Sequence, residues 1–340
     1  MPGLRRIWNP AEYQGGRVSR RYFEGWYFKQ VDATGQRVVA VIPGVSYSAD
    51  GSSSHAFVQV VPAGGEMHYF AYPIEEFGFD AKAPFGVNVG PNTFSCTRMV
   101  LDLDDGERRV RGELSFGSMS PWPVTAFSPG IMGWYRFVPG METYHGVISM
   151  DHGLSGWIDI DGDRTDFGGG RGYIEKDWGR SFPSSWVWAQ SNHFGREGIS
   201  LSLSVAKVPW MTGAFVGHIA GLLLDGKLHR FATYTGAKPT CIETGKNEAH
   251  FTLADKHEEL DVHVRGCEAL ILTSPVLGAM EGRDAESLGG TIDVTLRSLR
   301  GGRAPAVFQG TGTAAAIEVM NDKKELGHIP CGETREGSRR

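Results

Sequence analysis

The stretch Trp186-Val187-Trp188-Ala189-Gln190-Ser191-Asn192 alternates large or amide side chains with small ones, and the pattern Trp-x-aromatic-x-Gln appears again at Trp26-Tyr27-Phe28-Lys29-Gln30. Alternation at period two marks a β-strand, whose successive side chains point to opposite faces. Trp186, Trp188, Gln190 and Asn192 then share one face, with Val187, Ala189 and Ser191 on the other. In the first copy Tyr22, Glu24, Trp26, Phe28 and Gln30 fall together. Each copy follows a Gly-rich, Arg-containing stretch (Gly15-Gly16-Arg17; Gly168 to Gly172) and precedes a Gly-containing turn and an apolar strand. The copies stand 160 positions apart, close to half of the 340 residues. The echo predicts two tandem β modules, over residues 1–165 and 166–320, joined near Asp161–Gly169, with a polar, frayed tail over 321–340.

The rest of the chain supports an all-β reading. Met99–Leu103 and Val110–Phe116 flank the turn Asp104-Asp105-Gly106-Glu107, and further short alternating runs recur to Leu296. The one helix the pattern allows is Ala279–Leu288. Glycine is about twice its average usage of ~7%, at 47 of 340 residues, and 18 Phe with 9 Trp exclude a disordered chain. A net charge of −5 argues against a nucleic-acid partner, which a basic stripe would mark. Leu114–Tyr135 and Val208–Leu224 lack acidic and basic residues, but prolines and glycines break both, so no membrane span is expected. No signal peptide is visible, and the four cysteines form no C-x-x-C pair. The expectation is a cytoplasmic protein with reduced thiols.

Both aromatic faces carry hydrogen-bonding groups, as a small-molecule pocket does and a plain Val/Ile/Leu core does not; the alternative is that Trp and Gln fill and satisfy a barrel interior. The densest constellation is Gly172-Tyr173-Ile174-Glu175-Lys176-Asp177-Trp178-Gly179. Three consecutive charges inside an aromatic strand are costly unless paired. Either Glu175 or Asp177 is a proton donor whose pKa an apolar surround raises, or the three form a buried ion network with Arg20, Arg21 or Arg171. Glu24, on the face of Trp26, is the other candidate acid, or else an arginine's partner. An acid facing aromatic rings suits chemistry through a carbocation, which ring faces stabilise. No H-E-x-x-H, G-x-S-x-G or phosphate-cradling loop is present, and Asp159–Asp166 reads as a hairpin turn rather than a calcium loop. Neither a metal nor a cofactor is expected.

Phe23-Glu24-Gly25-Trp26-Tyr27-Phe28-Lys29, Glu175–Gly179, Phe182–Asn192 and the region from Ser274-Pro275 to Gly289-Gly290-Thr291 resemble the tocopherol cyclase family. More distantly, the chain resembles carotenoid 1,2-hydratases and fungal Diels–Alderases. The resemblance implies two lipocalin-like β-barrel domains packed together, with a ligand in an apolar cavity in or between them. It also implies chemistry in which a proton adds to a prenyl double bond and a phenol oxygen captures the cation. The family's recurring positions fall on Glu24, Trp26, Tyr27, Glu175, Lys176, Trp178, Trp186, Trp188, Gln190 and Asn192.

Two functions follow. In the first, an intramolecular lyase or isomerase acts without a cofactor on a prenylated quinol or polyene. Glu24, Glu175 and Asp177 are its candidate acids. Trp26, Phe28, Trp178, Trp186 and Trp188 shape the pocket, while Tyr27, Lys176, Gln190 and Asn192 hold the substrate. In the second, the same barrels carry a lipid or quinone unchanged. The partner expected in both is a hydrophobic small molecule.

Overall fold

The computed structural model describes residues 5–16, 18–80, 85–300 and 306–331; Arg17 and positions 332–340 of the expected tail lie outside them. The first half forms β1 (Tyr22–Val31), β2 (Val38–Tyr47), β3 (His55–Pro62), β4 (His68–Pro73), β5 (Phe77–Phe79), β6 (Gly86–Val89) and β7 (Asn92–Ser95). It continues with β8 (Arg98–Asp104), β9 (Arg109–Phe116), β10 (Val124–Thr125), β11 (Ser128–Pro129), β12 (Thr143–Ile160), β13 (Asp163–Asp166) and β14 (Arg171–Gly179). The second half forms β15 (Trp186–Ser191), β16 (His193–Phe194), β17 (Ile199–Trp210), β18 (Gly213–Leu224), β19 (Lys227–Ala232) and β20 (Lys238–Thr244). It ends with β21 (Glu248–Ala254), β22 (Glu258–Arg265), β23 (Ala269–Val276), β24 (Ala279–Ser298) and β25 (Ala306–Met320).

These strands make two large antiparallel sheets, each curled as a lipocalin-like barrel module. The first has the order β4-β3-β2-β1-β14-β12-β9-β8-β7-β6-β5; the second runs β19-β18-β17-β15-β25-β24-β22-β21-β20. Outer strands show the one-sided pattern that alternation dictates: along β9, Val110, Gly112, Leu114 and Phe116 are buried while Arg109, Arg111, Glu113 and Ser115 are exposed. Its hairpin turns at Gly106, at φ +88°, a left-handed conformation that glycine adopts without strain.

Strands β1, β14 and β15 are buried on both faces. One face of each packs into its own barrel, the other against the opposite module. Three apolar clusters result: one inside the first barrel around Trp26 and Phe28, one inside the second around Val187 and Ala189, and one between them around Tyr27, Tyr173, Trp186 and Trp188. The β23–β24 hairpin clasps the first module, where Gln59 exchanges two 3.0 Å hydrogen bonds with the Thr273 backbone and the Ser46 hydroxyl donates to the Gly278 carbonyl.

Four expectations change. Strand β14 pairs between β1 and β12, so the change of sheet falls between Gly179 and Trp186, after the Asp161–Gly169 join expected from the echo. Ala279–Leu288 is the start of the long strand β24, held in register by β23 and β25; cross-strand pairing overrides its modest helical preference. The tail is docked up to Cys331: Leu326 is buried, and Ile329 bridges to Ile242. Cys241 and Cys331 form a disulfide, with Cα atoms 4.6 Å apart, instead of remaining reduced. Among the described residues no helix is long and apolar enough to cross a membrane.

Candidate functional site

A cavity of ≈ 210 Å³ lies between the modules. The first contributes Phe23, Gly25 and Tyr27 from β1, His145 from β12, and Glu175 and Asp177 from β14. The second contributes Trp186 and Trp188 from β15, Asp284 and Glu286 from β24, and Glu318 from β25. Register explains the grouping. Gly25 lies opposite Asp177, which lies opposite His145; one step along, Tyr27 lies opposite Glu175. All five side-chain positions therefore share the outer face of the first sheet.

Glu175 is held by donors that converge on a single oxygen. Tyr173 donates to Oε2 at 2.6 Å and Trp188 Nε1 at 3.1 Å, while His145 Nε2 stands 3.6 Å away, beyond hydrogen-bond reach. Burial raises the Glu175 carboxyl to about 7; the charge of His145 opposes that rise and the charge of Asp177 reinforces it. His145 meets Asp177 through Nδ1 at 3.0 Å. Burial alone would discharge the imidazole, but Asp177 and Glu175 hold its pKa at about 9. The outcome at neutral pH is an imidazolium between two carboxyl groups, one of which titrates near neutrality. These three residues place donor atoms within 4.8 Å of one another, as metal ligands do. The carboxyls, however, approach opposite ring nitrogens, which is ion-pair geometry rather than ligation through one nitrogen.

Tyr27 turns its ring edge-on to Trp188 and donates to Glu286 at 2.5 Å, and Trp186 Nε1 donates to Glu318 at 2.6 Å. Glu286 Oε2, Asp284 Oδ2 and His145 Nε2 are buried with no hydrogen-bond partner among the described residues. All three belong to residues that line the cavity.

The remaining candidates lie elsewhere. Glu24 shares a face with Trp26, as alternation requires, but that face points into the first barrel. There it pairs with Lys176 at 2.5 Å, both side chains fully buried. The backbone N–H groups of Gln14 and Gly15 and the Tyr22 hydroxyl also donate to Glu24. Lys176 reaches the carbonyls of Pro10 at 3.0 Å and Glu12 at 2.6 Å, and sits over the rings of Trp26 and Trp178. Burial lowers its pKa to about 8 against the pull of Glu24. Trp26, Phe28 and Trp178 are barrel core. Gln190 is fully buried off the cavity, and Asn192 donates to Asp151 Oδ1 and the Gly172 carbonyl, each at 3.0 Å. The arginine partners expected for the Glu175–Asp177 run are absent from it: Arg171 pairs with Asp151 and Glu197, and Arg20 and Arg21 are exposed.

His145, Asp284, Glu286 and Glu318 were not among the candidates. The histidine has no sequence partner, since Asp177 is brought to it by sheet register. The usable signal for the others was Asp284-x-Glu286, two acids at strand spacing in a segment that reads as a helix.

The tocopherol cyclase-like family pattern matches residues 104–320, more than half of the chain. The chain belongs to the tocopherol cyclase-like family. Over 146 residues it is 32% identical to a relative from Oryza sativa subsp. japonica, covering 39% of this chain and 31% of that one. Over 109 residues it is 35% identical to the tocopherol cyclase, chloroplastic, of Zea mays, covering 31% and 23%. The match thus spans a third or less of these plant relatives. Among solved structures, CghA superposes with a TM-score of 0.54 at 13% identity over 88% of each chain. A Nitrosomonas europaea protein described as AttH does so at 0.50, with 13% identity over 88% of this chain and 92% of that one. At such identities these two likenesses describe the fold alone.

Proposed function

We propose that this family member binds a hydrophobic molecule with a prenyl or polyene chain in the cavity between its modules, and cyclises or isomerises it with Glu175 as the acid. The observation that carries the reading is the one-sided embrace of Glu175. Tyr173 and Trp188 both donate to Oε2, which leaves the acidic proton on Oε1. Burial keeps that proton in place up to about pH 7, and the neighbouring imidazolium of His145 increases its tendency to leave once a ligand receives it. Transfer of the proton to an alkene carbon creates a carbocation. The rings of Tyr27, Trp186 and Trp188, which line the cavity, stabilise it from their faces. Capture of the cation by a hydroxyl of the same ligand closes a ring and conserves mass. Few groups are required, because holding the folded conformer does much of the work.

Purified protein incubated with a prenylated hydroquinone tests this directly. The reading expects a product of unchanged mass, lost in Glu175→Gln while ligand-induced tryptophan quenching persists. Binding with the ligand unchanged in wild type assigns the chain to the carrier function instead.

A further inference from the structure

Closing a ring through a ligand hydroxyl leaves one proton to be removed from that oxygen. The second module offers a group for the task. Glu286 lies on β24, in register with Glu318 on β25 and two residues from Asp284. It is fully buried and lines the cavity. The Tyr27 phenol donates to Oε1 at 2.5 Å, while Oε2 has no partner among the described residues; Asp284 presents a second such oxygen beside it. A buried acceptor without a donor is costly, and a ligand hydroxyl in the cavity is a donor that would satisfy it.

The charges around Glu286 differ from those around its neighbours. Tyr27 and Lys29 face it from β1, Glu175 from β14, Asp284 from its own strand and Glu318 from β25. Lys29 is itself fully buried, donating to the Ala314 carbonyl at 2.7 Å. Burial raises Glu286 to about 7, while the Tyr27 hydrogen bond and the Lys29 charge hold it from rising further. On Glu318 burial and the adjacent carboxyls act with no cation against them, and its pKa goes well above the ordinary value. Of the two, only Glu286 has a cation, Lys29, among the groups that oppose its rise, and burial lowers Lys29 itself to about 7.

We propose that Glu286 is a catalytic proton acceptor, its free Oε2 taking the hydrogen of the ligand hydroxyl that captures the cation. The inference rests on the acid-assisted reading of Glu175. The new C–O bond forms as the O–H bond breaks; the O–H electron pair stays on oxygen, and the proton goes to Glu286. Glu175 ends one proton short and Glu286 one over, so a proton returns between turnovers and no co-reactant is consumed. The ligand class narrows accordingly, to molecules with a hydroxyl within reach of β24 and an alkene within reach of β14.

The test uses the full chain in D₂O with two prenylated hydroquinones, one free and one with its hydroxyls capped as methyl ethers. Ring closure of the free ligand needs both groups. Deuterium exchange into the alkene of the capped ligand needs only Glu175, which gives and retakes the proton. Glu286→Gln is expected to slow ring closure at least about 100-fold, a far larger loss than that of exchange into the capped ligand, which has no hydroxyl hydrogen for Glu286 to accept. Glu175→Gln is expected to lose both reactions. Glu286→Asp is expected to recover part of the closure rate with a displaced acid limb of the pH profile. Wild-type closure rates in Glu286→Gln overturn the inference, as does loss of exchange together with closure. If wild type neither closes nor exchanges either ligand, the reading of Glu175 fails, and this inference with it.

Discussion

Glu24 and Glu175 lie on hydrogen-bonded neighbouring strands and are both almost fully buried, yet their surroundings assign them opposite parts. Glu24 looks into the first barrel and meets a lysine, two backbone N–H groups and a hydroxyl. Glu175 looks between the modules, where its partners crowd one oxygen and an imidazolium stands just out of hydrogen-bond range. The first arrangement saturates a charge; the second leaves a proton transferable. Burial and aromatic company are common to both carboxyls; the difference lies in how many of their lone pairs are satisfied.

Removing one partner from each site gives the largest expected difference. Lys176→Met leaves Glu24 as an unpaired buried charge and should cost about 3–5 kcal/mol of stability in denaturant unfolding. Glu175→Gln exchanges one neutral, hydrogen-bonded group for another and should stay within about 1 kcal/mol of wild type. Equal losses in the two variants would break the comparison.

Next in size is a pH effect confined to the cavity. The folded-state pKa of His145, about 9, lies above its ordinary 6.5. The folded protein therefore holds more protons than the unfolded chain across that window. The stabilisation from His145 is complete below about pH 6.5 and disappears as pH rises through about 9. The stability difference between wild type and His145→Gln should shrink over that interval; a difference that grows with pH would contradict the ion-pair assignment.

A smaller effect concerns the donor to Glu175. The Trp188 hydrogen bond lowers the pKa of that carboxyl, so Trp188→Phe should move the alkaline fall of turnover to higher pH. At about 1 kcal/mol per hydrogen bond the move is under about one pH unit. A move to lower pH would mean that the indole N–H does not stabilise the ionised carboxylate.

Much of this arrangement was legible in the sequence, because alternation fixes which residues share a face. It grouped Trp186 with Trp188, Glu24 with Trp26, and Glu175 with Asp177. It could not say which face meets which module, since β1, β14 and β15 are buried on both sides. That is why Trp26 and Phe28 were read as pocket residues while the cavity receives Tyr27 and Gly25 from the opposite face. The Trp-x-aromatic-x-Gln echo marks one strand of each module, but its two faces are not equivalent: Trp186 points between the modules and Trp26 into its own barrel. His145, Glu286 and Glu318 enter through the register of paired strands and the packing of one module on the other, which no local pattern encodes.

On this proposal the ligand occupies the space between the modules rather than a barrel interior. Gly25 gives direct access to it, because a Cβ there meets nothing nearer than Ile42 Cγ2 and the Pro43 carbonyl, each at 3.8 Å. Titrating a prenylated quinone while following tryptophan quenching in wild type, Gly25→Leu and Phe28→Leu is the decisive measurement. Gly25→Leu is expected to weaken binding by at least about tenfold, some 1.4 kcal/mol, while Phe28→Leu, inside the first barrel, leaves it unchanged. Unaltered binding in Gly25→Leu with loss in Phe28→Leu would place the ligand inside the first barrel instead.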